Sequence, residues 1–267
     1  MKDPLGRDLI PPGAGRRRKQ LIVETVVEII NLQNVRKIFD NNEVIKSCNM
    51  SVKKGSIYGF LGRNGAGKTT VLKLIAGLLQ PTSGTIKVFG MSMLTDRNRV
   101  LKKMGCLIES PVFFEQMSAE ENLKIHLAYM GVSGLNISSV LAHVGLDNIG
   151  NLPVSKFSLG MKQRLAIARS IIHEPELLLL DEPINGLDPV GIKEIRDLFC
   201  RLSKEYGMTI VISSHILSEI EQIADTIGII EKGEIIKETE QLHSQDGIEN
   251  LEQYFLETLK GGRNIDT

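Results

Sequence analysis

GRNGAGKT, the stretch from Gly62 to Thr69, fits the pattern G-x-x-x-x-G-K-[ST] at every fixed position. Each residue type has a reason to be there. Gly62, Gly65 and Gly67 let successive backbone N–H groups turn inward on a phosphate, with Arg63, Asn64 and Ala66 completing the loop. Lys68 adds a point charge, and Thr69 offers a hydroxyl to a magnesium ion. Thr70 sits beside it on the opening turn. The loop lies between an apolar run, GSIYGFL, and a helical pattern from Thr69 to Leu79 with Val71, Leu72, Leu74, Ile75 and Leu78 on one face. Pro81-Thr82-Ser83-Gly84 stops that helix. Strand, glycine loop, helix is the order that binds phosphate.

Outward from the loop, the β-rich runs VEIINLQNV and EVIKSCNMSV precede it. Residues 95 to 172 are mostly helical in pattern. Ser118 and Glu121 make a capping box ahead of Leu123, Leu127 and Met130, and a further helix is predicted from Lys162 to Ile172. ELLLLD is apolar until its last residue, as expected of a strand buried on both faces of a parallel sheet. A helix from Pro189 to Tyr206, closed by Gly207, leads into the strand MTIVIS and completes a βαβ crossover. IGII-EKGE-IIKE reads as a hairpin turned at Lys232-Gly233, followed by an amphipathic helix near Ile248 to Leu259. Asp181 and Glu182 end the apolar strand. One carboxylate there can hold magnesium and its neighbour can address an attacking water.

The bulk numbers narrow the class. Thirty-two Lys plus Arg balance thirty-two Asp plus Glu, so charge gives no reason to expect nucleic acid as a partner. Three scattered cysteines, Cys48, Cys106 and Cys200, form no C-x-x-C and read as reduced cytosolic thiols. A membrane-crossing helix needs about 20 apolar residues. The stretches at Leu177 to Leu180 and Ile227 to Ile230 are far shorter. Residues 1–26, with the basic run Arg16 to Lys19, read as a disordered extension, the run itself being solvated.

LLLLDEPINGLDP, Leu177 to Pro189, resembles the Walker B and D-loop segments of ABC ATPases, and FSLGMKQRLAIARS, Phe157 to Ser170, resembles their signature motif. The resemblance runs from about Val27 to Ile236 with every motif in the family's order. It implies an α/β fold: a P-loop NTPase of the ABC type, with an antiparallel β subdomain and an inserted helical subdomain at about 95–172. It assigns 27–240 to the ATP-binding domain and 241–267 to a C-terminal helical tail.

Carried over by residue, the resemblance implies ATP and Mg²⁺ as ligands. Phe39 stacks on adenine, Lys68 and Thr69 serve the phosphates and metal, Asp181 holds the metal, and Glu182 is the base. His215, in ISSHIL, is the switch histidine, and Asp188 is the D-loop acid that signals across a dimer. Ser158 and Gly160 present a helix start to the γ-phosphate held by the opposite subunit. A homodimer with ATP at its seam is therefore implied, as is a separate integral-membrane permease that holds the chain at the inner face of the membrane, in the cytoplasm.

Two departures stand out. The signature reads SLGMKQ, with Leu159 and Met161 where the family has glycine and glutamine. Glu109 occupies the position of a glutamine; a carboxylate there accepts hydrogen bonds and can ligate Mg²⁺. Both features resemble the subfamily that exports bacitracin and lantibiotics. Two alternatives stay open on the sequence. One is an ABC ATPase working on ribosomes or nucleic acid, which usually has paired modules or a long coiled coil. The other is an ATP sensor that does not hydrolyse, which Glu182 and His215 oppose.

Overall fold

The computed structural model describes residues 27–240. Strands β1 (Glu28–Phe39) and β2 (Asn42–Lys53) form a long hairpin with Phe39 opposite Asn42. Its turn is Asp40-Asn41, at φ 43° and 73°. Short polar side chains tolerate this left-handed geometry, which matches the twist of the strands they join. Next come β3 (Ile57–Leu61), α1 (Lys68–Ile75), β4 (Ser83–Val88), β5 (Met91–Ser92), α2 (Arg97–Leu101) and β6 (Met104–Leu107). Three helices follow: α3 (Ala119–Met130), α4 (Ile137–His143) and α5 (Leu159–Ile171). The chain then runs through β7 (Leu177–Asp181), α6 (Pro189–Tyr206), β8 (Thr209–Ser214), α7 (Leu217–Ile220), β9 (Thr226–Glu231) and β10 (Glu234–Glu240).

The strands sort into a four-stranded sheet, β2-β1-β4-β5, and a six-stranded sheet, β10-β9-β3-β8-β7-β6. The first is antiparallel throughout. In the second, five strands are parallel and β10 returns antiparallel at one edge. Every residue of β3 and β8 is buried, as their unbroken apolar runs require. The period of two divides their side chains between two cores. Ile57 and Leu61 of β3, with Leu178 and Leu180 of β7, pack against Leu123, Leu165 and Phe199 of the helices. Tyr58, Phe60, Leu177 and Leu179 pack the other way, against Leu72 and Ile75 of α1 and Ile30 and Val52 of the antiparallel sheet. The α/β architecture with its antiparallel β layer is the one the sequence implied.

Local expectations met their limits at element ends. The helix after the glycine loop stops at Ile75 instead of Leu79, and Gly77 at φ 65° leaves the helical region. The helix expected from Lys162 starts earlier, at Leu159, because Ser158 caps it by accepting from Met161 N at 3.2 Å. The stretch 95–172, expected to be mostly helical, contains β6, which pairs with β7 in the parallel sheet. Its Gly105 is required by packing, since a Cβ there would lie 1.9 Å from Ser170 O of α5. The Ser118–Glu121 capping box, the bounds of α6 and the turn between β9 and β10 agree with the reading of the sequence. The extension at 1–26 and the helix near Ile248 to Leu259 lie outside the described residues. Among the described residues no helix is long and apolar enough to cross a membrane. The three cysteines are free, and burial pushes the Cys48 and Cys106 thiols up to about 12, so both stay protonated.

Candidate active site

In the six-stranded sheet β8 lies between β3 and β7. Because all three are parallel, the glycine loop after β3, Asp181-Glu182 after β7 and His215 after β8 emerge at one edge. This is where open α/β sheets bind ligands. Gly65 and Gly67 take φ of 82° and 112°, a region closed to most other residues. Gly67 also stands at the N-cap of α1 with no side-chain cap, which leaves the first N–H groups of the helix to an anion.

Lys68 is buried, at 6% exposure. Its ammonium donates to Gly62 O at 2.7 Å and Arg63 O at 3.3 Å and lies 3.3 Å from Glu182 Oε1. Thr69 Oγ1 donates to Asp181 Oδ2 at 2.6 Å, and Ser213 Oγ donates to Asp181 Oδ1 at 2.5 Å. Glu182 N in turn donates to Ser213 Oγ at 3.0 Å. His215 Nδ1 is 2.9 Å from Glu182 Oε2, a contact in which the ring N–H donates and the carboxylate oxygen accepts. The other oxygen, Oε1, is buried and apart from Lys68 has no hydrogen-bond partner. Glu182 itself sits at φ 49°. A non-glycine residue in this region is strained, and such strain persists only where neighbours impose it.

The residues fit a magnesium ion. Thr69 and Asp181 supply oxygen atoms alone, the donor type a hard cation prefers. Among the described residues no three His, Cys, Asp or Glu side chains gather into a metal cage. Magnesium commonly takes one or two protein ligands and completes its shell with water and substrate phosphate.

The glycine loop opens into a cleft of about 290 Å³ lined by Arg63, Asn64, Gly65, Gly67, Lys68, Thr69, Thr70, Glu182 and Val44. Val44 was passed over in the sequence; the signal for it was the Asp40-Asn41 turn, which folds β2 back beside the end of β1. Phe39 does not line this cleft. It ends β1 at 39% exposure, with Lys37 Nζ 4.7 Å from its ring centre. Glu109 is not at the cleft either: it is exposed and pairs with Lys73 of α1. Asp188 caps α6, accepting from Gly191 N at 2.7 Å. Ser158 and Gly160 stand apart from the cleft, at the start of α5, where Gly160 approaches Gly186 O and the Leu187 side chain. Leu159 beside them is 68% exposed.

Two further residues escaped sequence reading. Ser213 pairs in register with Asp181 across β7 and β8 and so touches both acidic residues. Gln163 is buried on α5, and its Nε2 donates to Pro183 O at 2.7 Å. Nothing local in ISSH or in MKQR marks either one, because their partners lie on other elements.

Comparison with known proteins places this site in a lineage. Residues 45–185 match the family model described as ABC transporter. The bacitracin transport ATP-binding protein BcrA of Bacillus licheniformis is 49% identical over 79% of this chain and 69% of its own length. The lantibiotic transport ATP-binding protein SrtF of Streptococcus pyogenes is 47% identical over 85% of this chain and 96% of its own. Among solved structures, a dimeric post-hydrolysis state of the ATP-binding cassette MJ0796 bound to ADP and Pi shares the fold, with a TM-score of 0.73 at 24% identity over 79% of this chain and 98% of that one. The chain belongs to the ABC transporter family, as an ATP-binding subunit that hydrolyses ATP.

Proposed function

We propose that this ATPase drives export of a peptide or hydrophobic antibiotic of the bacitracin or lantibiotic type, protecting the cell that carries it. The cargo class rests on the kinship to BcrA and SrtF, whose names specify bacitracin and lantibiotic transport. Those names and the balanced charge weigh against the ribosome and nucleic-acid alternative.

The mechanism rests on one observation: the Glu182 carboxylate is held between Lys68 and His215 at the mouth of the glycine loop. The loop N–H groups and Lys68 grip the β- and γ-phosphates of ATP, with Phe39 and Val44 on the adenine side. Bound Mg²⁺, held by the Thr69 hydroxyl and Asp181, would offset negative charge on the phosphate oxygens. Glu182 orients or deprotonates the attacking water, and His215 steadies its second oxygen. Ser158 and Gly160, remote from their own chain's cleft, cover the nucleotide of a second copy, so hydrolysis belongs to a homodimer. Asp188, capping the helix beside that seam, relays between the two sites.

Residues 27–240 act in this reading as the ATP-binding domain, with the helices α3 to α5 as its inserted part. The subunit works on the inner face of the membrane, docked to a separate permease. Val112 at 82% and Phe114 at 53% exposure, in the segment after Glu109, offer the permease an apolar footing. The test is Glu182→Gln with ATP. ATP should still bind and phosphate release should fall by about two to three orders of magnitude, leaving a dimer stable to gel filtration. Ordinary turnover in that variant would remove Glu182 from the mechanism.

A further inference from the structure

The backbone around Glu182 is held from both sides. Upstream, Glu182 N donates to Ser213 Oγ at 3.0 Å and to Ser213 O at 3.3 Å. Downstream, the carbonyl of the next residue, Pro183, accepts from Gln163 Nε2 at 2.7 Å. Between these two holds Glu182 adopts φ 49°, a conformation it would not keep unaided. Ser213 belongs to β8, deep in the sheet. Gln163 belongs to α5, five residues beyond the Ser158 cap that opens the same helix.

The two holds differ in what they report. β8 is buried at every residue, between β3 and β7. The first turn of α5 is less covered, with Leu159 exposed, and α5 meets the loop after Glu182 at more than one point. Leu159 lies against Gly186, where a Cβ would come within 2.7 Å of its side chain. Arg164, one residue past Gln163, bonds to Val144 O at 2.8 Å and to Glu194 Oε2 at 2.9 Å, tying α5 also to the segment after α4 and to α6. Gln163 is the one of these contacts that fixes the backbone adjoining Glu182.

We propose that Gln163 is a positioning residue for hydrolysis: its amide makes the aim of Glu182 depend on where the signature-bearing helix sits. This rests on the reading of Glu182 as base and of Ser158 as the cover for a partner's nucleotide. When a second copy's ATP is seated against Ser158, α5 is drawn to one position and its amide holds Pro183 O, fixing the carboxylate of the same chain's Glu182. Occupancy of one site is thereby felt as alignment at the other. A glutamine suits this task because it donates across a short buried gap without bringing in a charge that burial would penalise.

The experiment compares Gln163→Met, which keeps length and helix propensity but cannot donate, with wild type and with Glu182→Gln. Five quantities are read: ATP affinity without turnover, thermal midpoint, kcat and KM for phosphate release, and recovery of ATP-bound dimer when Gln163→Met is added to Glu182→Gln. The expected result is a kcat lower by about ten- to a hundredfold, the loss that follows displacement of a catalytic group by about an ångström. KM and ATP affinity should stay within about twofold and dimer recovery should be unchanged. Wild-type kcat in Gln163→Met, with Glu182→Gln inactive, would overturn the role of Gln163 alone. A loss of thermal midpoint, ATP affinity and dimer in proportion to kcat would also overturn it, by showing that the residue only packs the helix. If Glu182→Gln itself turned over, the underlying reading would fail instead.

Discussion

Ser213→Ala removes a hydroxyl that nothing in the sequence singled out, and the structure sets the size of the effect. The hydroxyl makes two hydrogen bonds inside the sheet, donating to Asp181 Oδ1 at 2.5 Å and accepting from Glu182 N at 3.0 Å. A bond to an ionised group contributes about 1.5–3 kcal/mol and a neutral one about 1 kcal/mol. Losing both leaves Glu182 N with only its longer bond to Ser213 O, at 3.3 Å, and an acidic side chain with one anchor, Thr69, in place of two. The folded state should lose about 2–4 kcal/mol, which for a domain of this size lowers the thermal midpoint by roughly 4–16 °C. The more telling consequence concerns the metal. Removing a hydrogen bond that orients a metal-binding carboxylate typically costs 10- to 100-fold in affinity. Phosphate release should therefore be measured against Mg²⁺ concentration at saturating ATP, below the new thermal midpoint. The half-saturating concentration should rise by about one to two orders of magnitude. Part of the rate should return at high Mg²⁺, the remaining deficit reflecting the loosened backbone of Glu182. If the folded variant keeps the wild-type Mg²⁺ dependence, Ser213 does not orient Asp181 toward a metal, and the reasoning from geometry fails.

Glu109→Gln should leave ATP affinity within about twofold and cost under about 1 kcal/mol of stability, since the Glu109–Lys73 pair is exposed. Its effect should appear as altered ATP turnover once the permease is present; unchanged coupled turnover would make the residue neutral there. His126 and His173, from α3 and the segment after α5, meet at 3.4 Å. Burial lowers both pKa values, that of His126 to about 4 from an ordinary 6.5, so the unfolded chain takes up protons in this range before the folded chain does. The stabilising effect of the neutral pair is thus complete above about 6.5 and lost as pH falls toward 4. A His126→Phe variant should show a shallower fall of thermal midpoint than wild type between those values, and parallel curves would refute the assignment.

How much was legible in advance follows from where the information lies. The glycine loop announces itself because its function is a local backbone shape: glycines in succession, then Lys68 and Thr69 on the first helical turn. α6 was readable to the residue because Asp188, Pro189 and Gly207 act on their own neighbours as cap, first turn and stop. The end of α1 and the start of α5 were less so, since each depends on one residue, Gly77 or Ser158, within a pattern that fits either boundary. The strand β6 was hidden in a helical stretch because four residues with a central glycine carry no period; only its place beside β7, with α5 lying on Gly105, makes it a strand.

The sequence by itself determined the phosphate cradle and the acidic pair and, through the family resemblance, pointed to the histidine, because each is written within a few consecutive residues. The tertiary structure alone decided that β8 inserts between β3 and β7, which puts Ser213 against Asp181, Lys68 and His215 on either side of Glu182, and Gln163 against Pro183. Strand order and register come from which apolar faces bury one another across the whole chain, and that choice leaves no mark at the residues it brings together.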